Sequence, residues 1–200
     1  MIYKENKNFI FLNQLNDLIK KNILNCKNIN IVIDIDNDNK VLSTNEKDLI
    51  KFIKLKGIPF LIKNNFQNAV RYKAQGVYIT SDNKKVIKPI LLKKNFLIVG
   101  SVHNQKEYKQ KLNQNCSIMM LSPLFYNDKY SRNKILNINK FNLIARDWCA
   151  SIFALGGIRL DNIKKINLTK ANGIGFKSLF ITSKLKNLPT NLCRQVLRIN

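Results

Sequence analysis

Acidic residues are scarce in this chain: 12 Asp and Glu stand against 35 Lys and Arg over 200 residues, for a net charge of +23. Long apolar runs are missing too. No stretch approaches the roughly 18 residues that a membrane-crossing helix needs, so no membrane span is expected. The first residues, Met1 to Phe11, mix Lys and Asn with isolated apolar side chains and lack the apolar run of a secretory leader. Histidine occurs once, as His103, and the four cysteines (Cys26, Cys116, Cys149, Cys193) form no C-x-x-C pair. That excludes a recognisable zinc spacing and leaves the cysteines to be read as reduced, mostly buried thiols of a cytoplasmic protein. Neither G-x-G-x-x-G nor G-x-x-x-x-G-K-[ST] occurs, which removes the common dinucleotide and nucleoside-triphosphate loops. No linker or low-complexity block divides the chain, so one domain over residues 1–200 is expected.

The surplus of Lys admits three readings. AT-rich coding enriches Lys, Asn and Ile together, and all three abound here. A positive field also speeds encounter with anionic substrates. Nucleic-acid binding is the least favoured, because such proteins concentrate charge in a stripe or tail. Here the runs Lys20-Lys21, Lys84-Lys85, Lys93-Lys94 and Lys164-Lys165 are short and scattered.

Hydrophobic residues make up 45% of the chain, enough for a globular core. They fall into short apolar runs that alternate with helical patterns. Strands are predicted at residues 10–12, 29–35, 58–62, 76–79, 96–99, 117–121, 151–155 and 173–176. Helices are predicted at 15–24, 66–73, 105–112, 138–146, 160–166 and 192–199. Another opens at Ser43-Thr44, with acid in its first turn, and stops before Gly57. Residues 84–92 read as a weak connector. Strands apolar on both faces and alternating with helices imply a parallel sheet. Eight such units favour closure into a TIM-type (β/α)8 barrel rather than an open sheet.

Barrel phosphate sites are commonly built from the loops after strands seven and eight. Here those loops hold Gly156-Gly157 and the segment from Gly173 through Lys177 and Ser178. Consecutive glycines present unhindered N–H groups to an anion, although two glycine turns could equally serve only to close the barrel. His103, after the fifth strand, is either a catalytic group or a structural one. Residues 121–125 and the polar loop beyond them, with Asn127, Asp128, Lys129, Tyr130, Ser131 and Arg132, read as either a ligand-contacting loop or a plain surface loop.

These segments together resemble the thiamine phosphate synthase family, which also contains thiazole tautomerases. Gly57-Ile-Pro-Phe-Leu-Ile62, then Ala69, then Ala74-Gln-Gly-Val-Tyr78 is similar to the family's "P-hydrophobic-IND…A…GADGVH" block. Gly100-Ser-Val-His103 resembles "G-x-S-x-H", Leu121-Ser-Pro-Leu-Phe125 "G-P-x-F", Ala154 to Ile158 "A-I-G-G-I", and Ala171 through Ser178 "ADGVAVxS". Five loose blocks in order, from about residue 58 to 180, are specific to the superfamily. The resemblance implies a reaction that joins a hydroxymethylpyrimidine diphosphate to a thiazole phosphate with release of pyrophosphate, through a pyrimidine carbocation. It implies small phosphorylated substrates. Separately, barrels of this size often pair, which allows a homodimer, and the missing apolar run leaves no membrane partner expected.

By the same resemblance, Gly156, Gly157, Lys177 and Ser178 would hold phosphate. Asn64, Ser101, Ser122, Asn127 and Tyr130 would contact substrate, and Lys63, His103 and Lys129 would be catalytic. A magnesium ion would sit at a weakened site of Asn64, Asp82 and Asn83. The weakening comes from departures. The Asp of "IND" aligns with Asn64 and its neighbouring Asn with Lys63. The second magnesium Asp aligns with Asn83, beside Asp82. Neutral Asn supplies oxygen without the charge that hard cations favour. The diphosphate-gripping "Q-x-R-x-K" is replaced by Ile33-Asp-Ile-Asp36, so acid stands in place of base. In the clamp loop, Lys129 is shifted by one position from the family's Lys. Lys63 would then replace the metal's charge with a fixed ammonium, or Asp34, Asp36 and Asp82 would rebuild a metal site.

Overall fold

The computed structural model describes residues 8–26, 28–34, 42–86, 95–128 and 130–177. The expected helix at 192–199, most of the connector at 84–92, and the candidates Lys129 and Ser178 lie outside them, as do Ile35 and Asp36.

Eight parallel strands close into a barrel in sequence order. They are β1 (Asn8–Leu12), β2 (Ile29–Ile33), β3 (Phe60–Lys63), β4 (Gly76–Ile79), β5 (Leu97–Val102), β6 (Ile118–Leu121), β7 (Ser151–Ala154) and β8 (Gly173–Phe176). Closure comes from β8 pairing with β1, with Ile10 opposite Phe176. Among the described residues five α-helices lie between strands: α1 (Asp17–Leu24), α2 (Thr44–Leu55), α3 (Phe66–Arg71), α4 (Gln105–Asn113) and α5 (Asn137–Arg146). The expected TIM-type barrel is therefore the fold.

The period-2 geometry of a strand splits each apolar run between two cores. Phe9, Phe11, Val32, Leu61, Tyr78, Val99, Ile118, Met120 and Phe153 form one buried cluster that fills the lumen. Edge-on ring contacts cross it from β1, Phe9 to Phe153 with centroids 5.4 Å apart and Phe11 to Tyr78 at 4.9 Å. The intervening residues, among them Ile10, Leu12, Ile31 and Ile33, join the larger cluster beneath the helices. Such a filled lumen leaves the strand ends as the place for a site.

Local signals act as expected at α2. Ser43 accepts from the Glu46 N–H and the Glu46 carboxylate accepts from the Ser43 N–H, a complete capping box. Gly57 takes a φ of +63° just past the helix end. Two expectations need correction. The segment expected as an α-helix at 160–166 is a 3-10 helix, Ile163–Leu168. Its flanking residue Asn162 does not cap it, because the Asn162 side chain is engaged by the Arg159 N–H and the Gly157 carbonyl. The cysteines are not mostly buried: all three described ones are free thiols, and only Cys116 is buried, while Cys149 is exposed.

Candidate active site at the C-terminal mouth

All eight strands point the same way, so the residues that end them gather at one mouth of the barrel. β3 ends on Lys63, one residue later than expected, and Asp34 follows β2. Parallel register sets Ile33 opposite Ile62, which places positions 34 and 63 side by side. Lys63 Nζ lies 2.8 Å from Asp34 Oδ1. Lys177, just beyond β8, donates to the other carboxylate oxygen, Oδ2. The Asp34 side chain is only 5% exposed, against 21% for Lys63 and 57% for Lys177. Burial alone would push the Asp34 carboxyl up. The two ammonium groups outweigh it and hold the group below its ordinary value of 3.8.

A polar floor adjoins this cluster. β5 extends through Val102, so Ser101 is a buried strand residue rather than part of the loop beyond. Its side chain hydrogen-bonds with the hydroxyl of Tyr78 on β4, and burial drives the Tyr78 phenol well above its usual range. The carboxylates of Asp34 and Asp82 push the Tyr78 phenol in the same direction as its burial does. On the far side, His103 is held twice by Glu107. Its backbone N–H and its ring Nδ1 both lie 2.8 Å from Glu107 Oε2. A carboxylate can only accept, so Nδ1 is the donor to Glu107, and Nε2 lies 3.4 Å from the Tyr130 hydroxyl.

The glycine pair lies at the end of β7, in the left-handed region at φ +90° for Gly156 and +69° for Gly157. Its tight approach is to the loop after β6. A Cβ on Gly157 would meet the Phe125 carbonyl oxygen at 2.3 Å, and one on Gly156 would meet Pro123 Cα at 2.9 Å and Asn127 Nδ2 at 3.6 Å. The carbonyl of Gly156 accepts from Phe125, and that of Gly157 from Asn162. The Gly156 and Gly157 N–H groups donate to no described residue. The turn therefore braces two loops through its carbonyls, and its donors meet no acceptor among the described residues. Ser122, also assigned to substrate contact, is buried, and its N–H donates to Val102.

The remaining candidates have other partners. Asn64 Oδ1 accepts from the Thr80 N–H at 2.9 Å, and Asn64 Nδ2 donates to the Thr80 hydroxyl at 2.8 Å. The Asn83 carbonyl accepts from Lys111 Nζ at 2.7 Å and Gln114 Nε2 at 3.0 Å, and its side chain accepts from the Lys85 N–H. Asp82 is exposed, and a hydrogen bond from Thr80 holds its carboxyl below the ordinary value.

The profile described as "Thiamine monophosphate synthase" (TMP-TENI) matches residues 11–179. The chain belongs to this family. A thiamine-phosphate synthase of Flavobacterium psychrophilum is 26% identical over 132 residues, covering 62% of this chain and 64% of that protein. One of Clostridium perfringens is 23% identical over 145 residues, covering 72% of this chain and 70% of its own. A Prochlorococcus marinus thiamine-phosphate synthase is 26% identical, but the chain spans only 35% of its length. The chain thus spans less than two thirds of the Flavobacterium and Prochlorococcus relatives. Among solved structures, thiamine phosphate pyrophosphorylase from Pyrococcus furiosus superposes with a TM-score of 0.73 at 17% identity, over 96% of both chains. The 3-hexulose-6-phosphate synthase from Salmonella typhimurium gives 0.63 at 11% identity, over 96% of this chain and 98% of its own. At such identities the likeness is one of fold.

The family generally uses magnesium, and the described mouth does not suit it. A hard divalent cation wants several oxygens, most of them charged. Asp34 is taken up by two lysines, the Asn64 side chain by Thr80 and the Asn83 side chain by the Lys85 N–H. Among the described residues no group of three or more His, Cys, Asp and Glu side chains is placed to share a metal ion.

Sequence reasoning singled out Lys63, Lys177 and Asp34 separately and did not foresee that they meet. It passed over Tyr78, whose signal was its inward place in the alternating Gly76-Val-Tyr-Ile79. It also passed over Glu107, four residues after His103 on a helix and so within reach of it.

Proposed function

We propose that this protein couples hydroxymethylpyrimidine diphosphate to a thiazole phosphate, releasing pyrophosphate. The observation that carries the reading is the pair of N–H donors at Gly156 and Gly157, which have no acceptor among the described residues. They lie at the strand end where barrels hold phosphate, in a chain of this family. In this reading the thiazole phosphate rests on that turn, with Ser178 completing its cradle. The C–O bond of the pyrimidine diphosphate breaks and its electrons leave with the diphosphate. Lys63 and Lys177 stabilise that departing charge, and the thiazole nitrogen supplies the pair that forms the new C–N bond. Ser101, Ser122, Asn64, Asn127 and Tyr130 would line the pyrimidine and thiazole. His103 would hydrogen-bond through Nε2, and Lys129 would add a further cation. Magnesium at Asn64, Asp82 and Asn83 is not part of this reading, since the Asn64 and Asn83 side chains are engaged by Thr80 and Lys85, which leaves exposed Asp82 as the single charged ligand of the three.

Small phosphorylated substrates, a cytoplasmic setting and a homodimer belong to the same proposal. Among the described residues no helix is long and apolar enough to cross a membrane. A second reading, binding of a thiazole phosphate without coupling, draws support from Asp34. That residue puts acid where the family pattern has a base. Incubating the purified chain with both substrates decides between them. Thiamine phosphate and pyrophosphate in equal amounts support coupling. Tight thiazole-phosphate binding with no pyrophosphate released would move the assignment to the second reading.

A further inference from the structure

We propose that Lys63 and Lys177, tied together by Asp34, form a metal-independent clamp for the diphosphate group; the inference rests on the reading that this mouth takes a diphosphate substrate. Three side chains from the ends of β2, β3 and β8 meet here: Lys63 on Asp34 Oδ1 at 2.8 Å and Lys177 on Oδ2. Among the described residues, the three side chains in contact here carry −1, +1 and +1, which sum to +1, while the exposed Asp82 acts on Lys63 only at longer range. Each ammonium carries three N–H donors. Asp34 takes one from each, leaving two on Lys63 and two on Lys177 for another acceptor.

The exposures describe how such a clamp would work. Asp34, at 5%, is the buried anchor, while Lys63 at 21% and Lys177 at 57% reach progressively toward solvent. Two ammonium groups this close would repel one another without the carboxylate between them. With it, they are preorganised for an anion and need little reorganisation when one arrives. A diphosphate carries enough charge to engage both at once, and a single shared carboxylate does not saturate them. Asp34 is thus a positioning residue, and the two lysines supply the charge that a divalent cation would otherwise bring.

The full chain is titrated calorimetrically with sodium pyrophosphate, once in EDTA and once with excess magnesium. The clamp predicts binding in EDTA that magnesium does not tighten. Lys63→Met should weaken it by ~10- to 100-fold and the more solvated Lys177→Met by ~3- to 10-fold. Lys51→Met, an exposed lysine on α2, is the control for the general field of a +23 chain and should leave binding unchanged. Should Lys63→Met fail to fold, Lys177→Met carries the test, because its side chain is more than half exposed. Binding that requires magnesium would overturn the proposal, as would lysine variants that bind like the parent or a Lys51→Met loss equal to theirs. The readout needs no turnover. Metal-free pyrophosphate binding without coupling would remove the proposed activity and keep the clamp. Coupling that runs only with magnesium would do the reverse.

Discussion

Replacing Asp34 by Asn removes the one negative charge of the mouth cluster while keeping its shape. Lys63, four-fifths buried, then faces Lys177 with no carboxylate between them. Breaking a buried ion pair by removing one partner typically costs about 3–5 kcal/mol, because it strands a charge. Here Lys177 is 57% exposed and can turn to water, so its share is reduced to that of a surface pair. A loss of roughly 2–3 kcal/mol follows. In a chain of this size that is a fall of about 4–12 °C in Tm. Thermal unfolding followed by circular dichroism measures it, and double-mutant cycles apportion it. Coupling between Asp34 and Lys63 should exceed that between Asp34 and Lys177. The sign with pH is fixed by the lowered carboxyl. Its contribution is whole above the unfolded value of 3.8 and disappears as pH falls through the lower folded value. Asp34→Asn should lose that acid limb. A variant within about 0.5 kcal/mol of the parent, or with an unchanged acid limb, would refute the claim that this cluster is formed and buried.

Two further substitutions probe the loops around it. Gly157→Ala places a methyl 2.3 Å from the Phe125 carbonyl oxygen at a positive φ, so it should cost on the order of 3 kcal/mol or more and weaken phosphate binding. Chemical denaturation and a phosphate titration read the two effects. Lys111 is fully buried and donates to the Asn83 carbonyl and to Gln114 Oε1, while burial lowers its pKa below 10.5. The unfolded chain therefore binds more protons between the two values, and this group favours the native state increasingly as pH rises toward 10.5. The stability difference between the parent and Lys111→Met should shift toward the parent over that range, in denaturant melts taken at successive pH values.

How much of this could be read in advance depends on the range of the interaction concerned. The capping box at Ser43 and Glu46 spans three residues, and the eight apolar runs declare themselves by local period, so both were legible. The 3-10 segment Ile163–Leu168 was not, because Asn162 is drawn to Arg159 and Gly157 instead of capping a helix. Likewise the end of β5 was misplaced. Gly100 and Ser101 look like a turn, yet Gly100 packs against Cys116 and Lys111 and pairs with Met119 in the sheet. The glycine turn at β7 was recognised, but its closeness to the loop after β6 is a long-range contact that no spacing announces.

The charge cluster shows how substitutions that look like damage singly can compensate jointly. An acid where the resembling family has a base, and a lysine where it has an asparagine, each read as the loss of a contact. Register alone pairs them: once Ile33 faces Ile62, positions 34 and 63 are neighbours, and opposite charges at neighbouring strand ends attract. Lys177 required barrel closure as well. β8 is not a neighbour of β2, and the lysine reaches Asp34 past the end of β1, where Asp34 donates its N–H to Leu12. A lone Asp34 would be a costly buried charge, and a lone Lys63 would be another. Each therefore explains the presence of the other, and the second lysine, which neutrality does not need, stays largely in solvent.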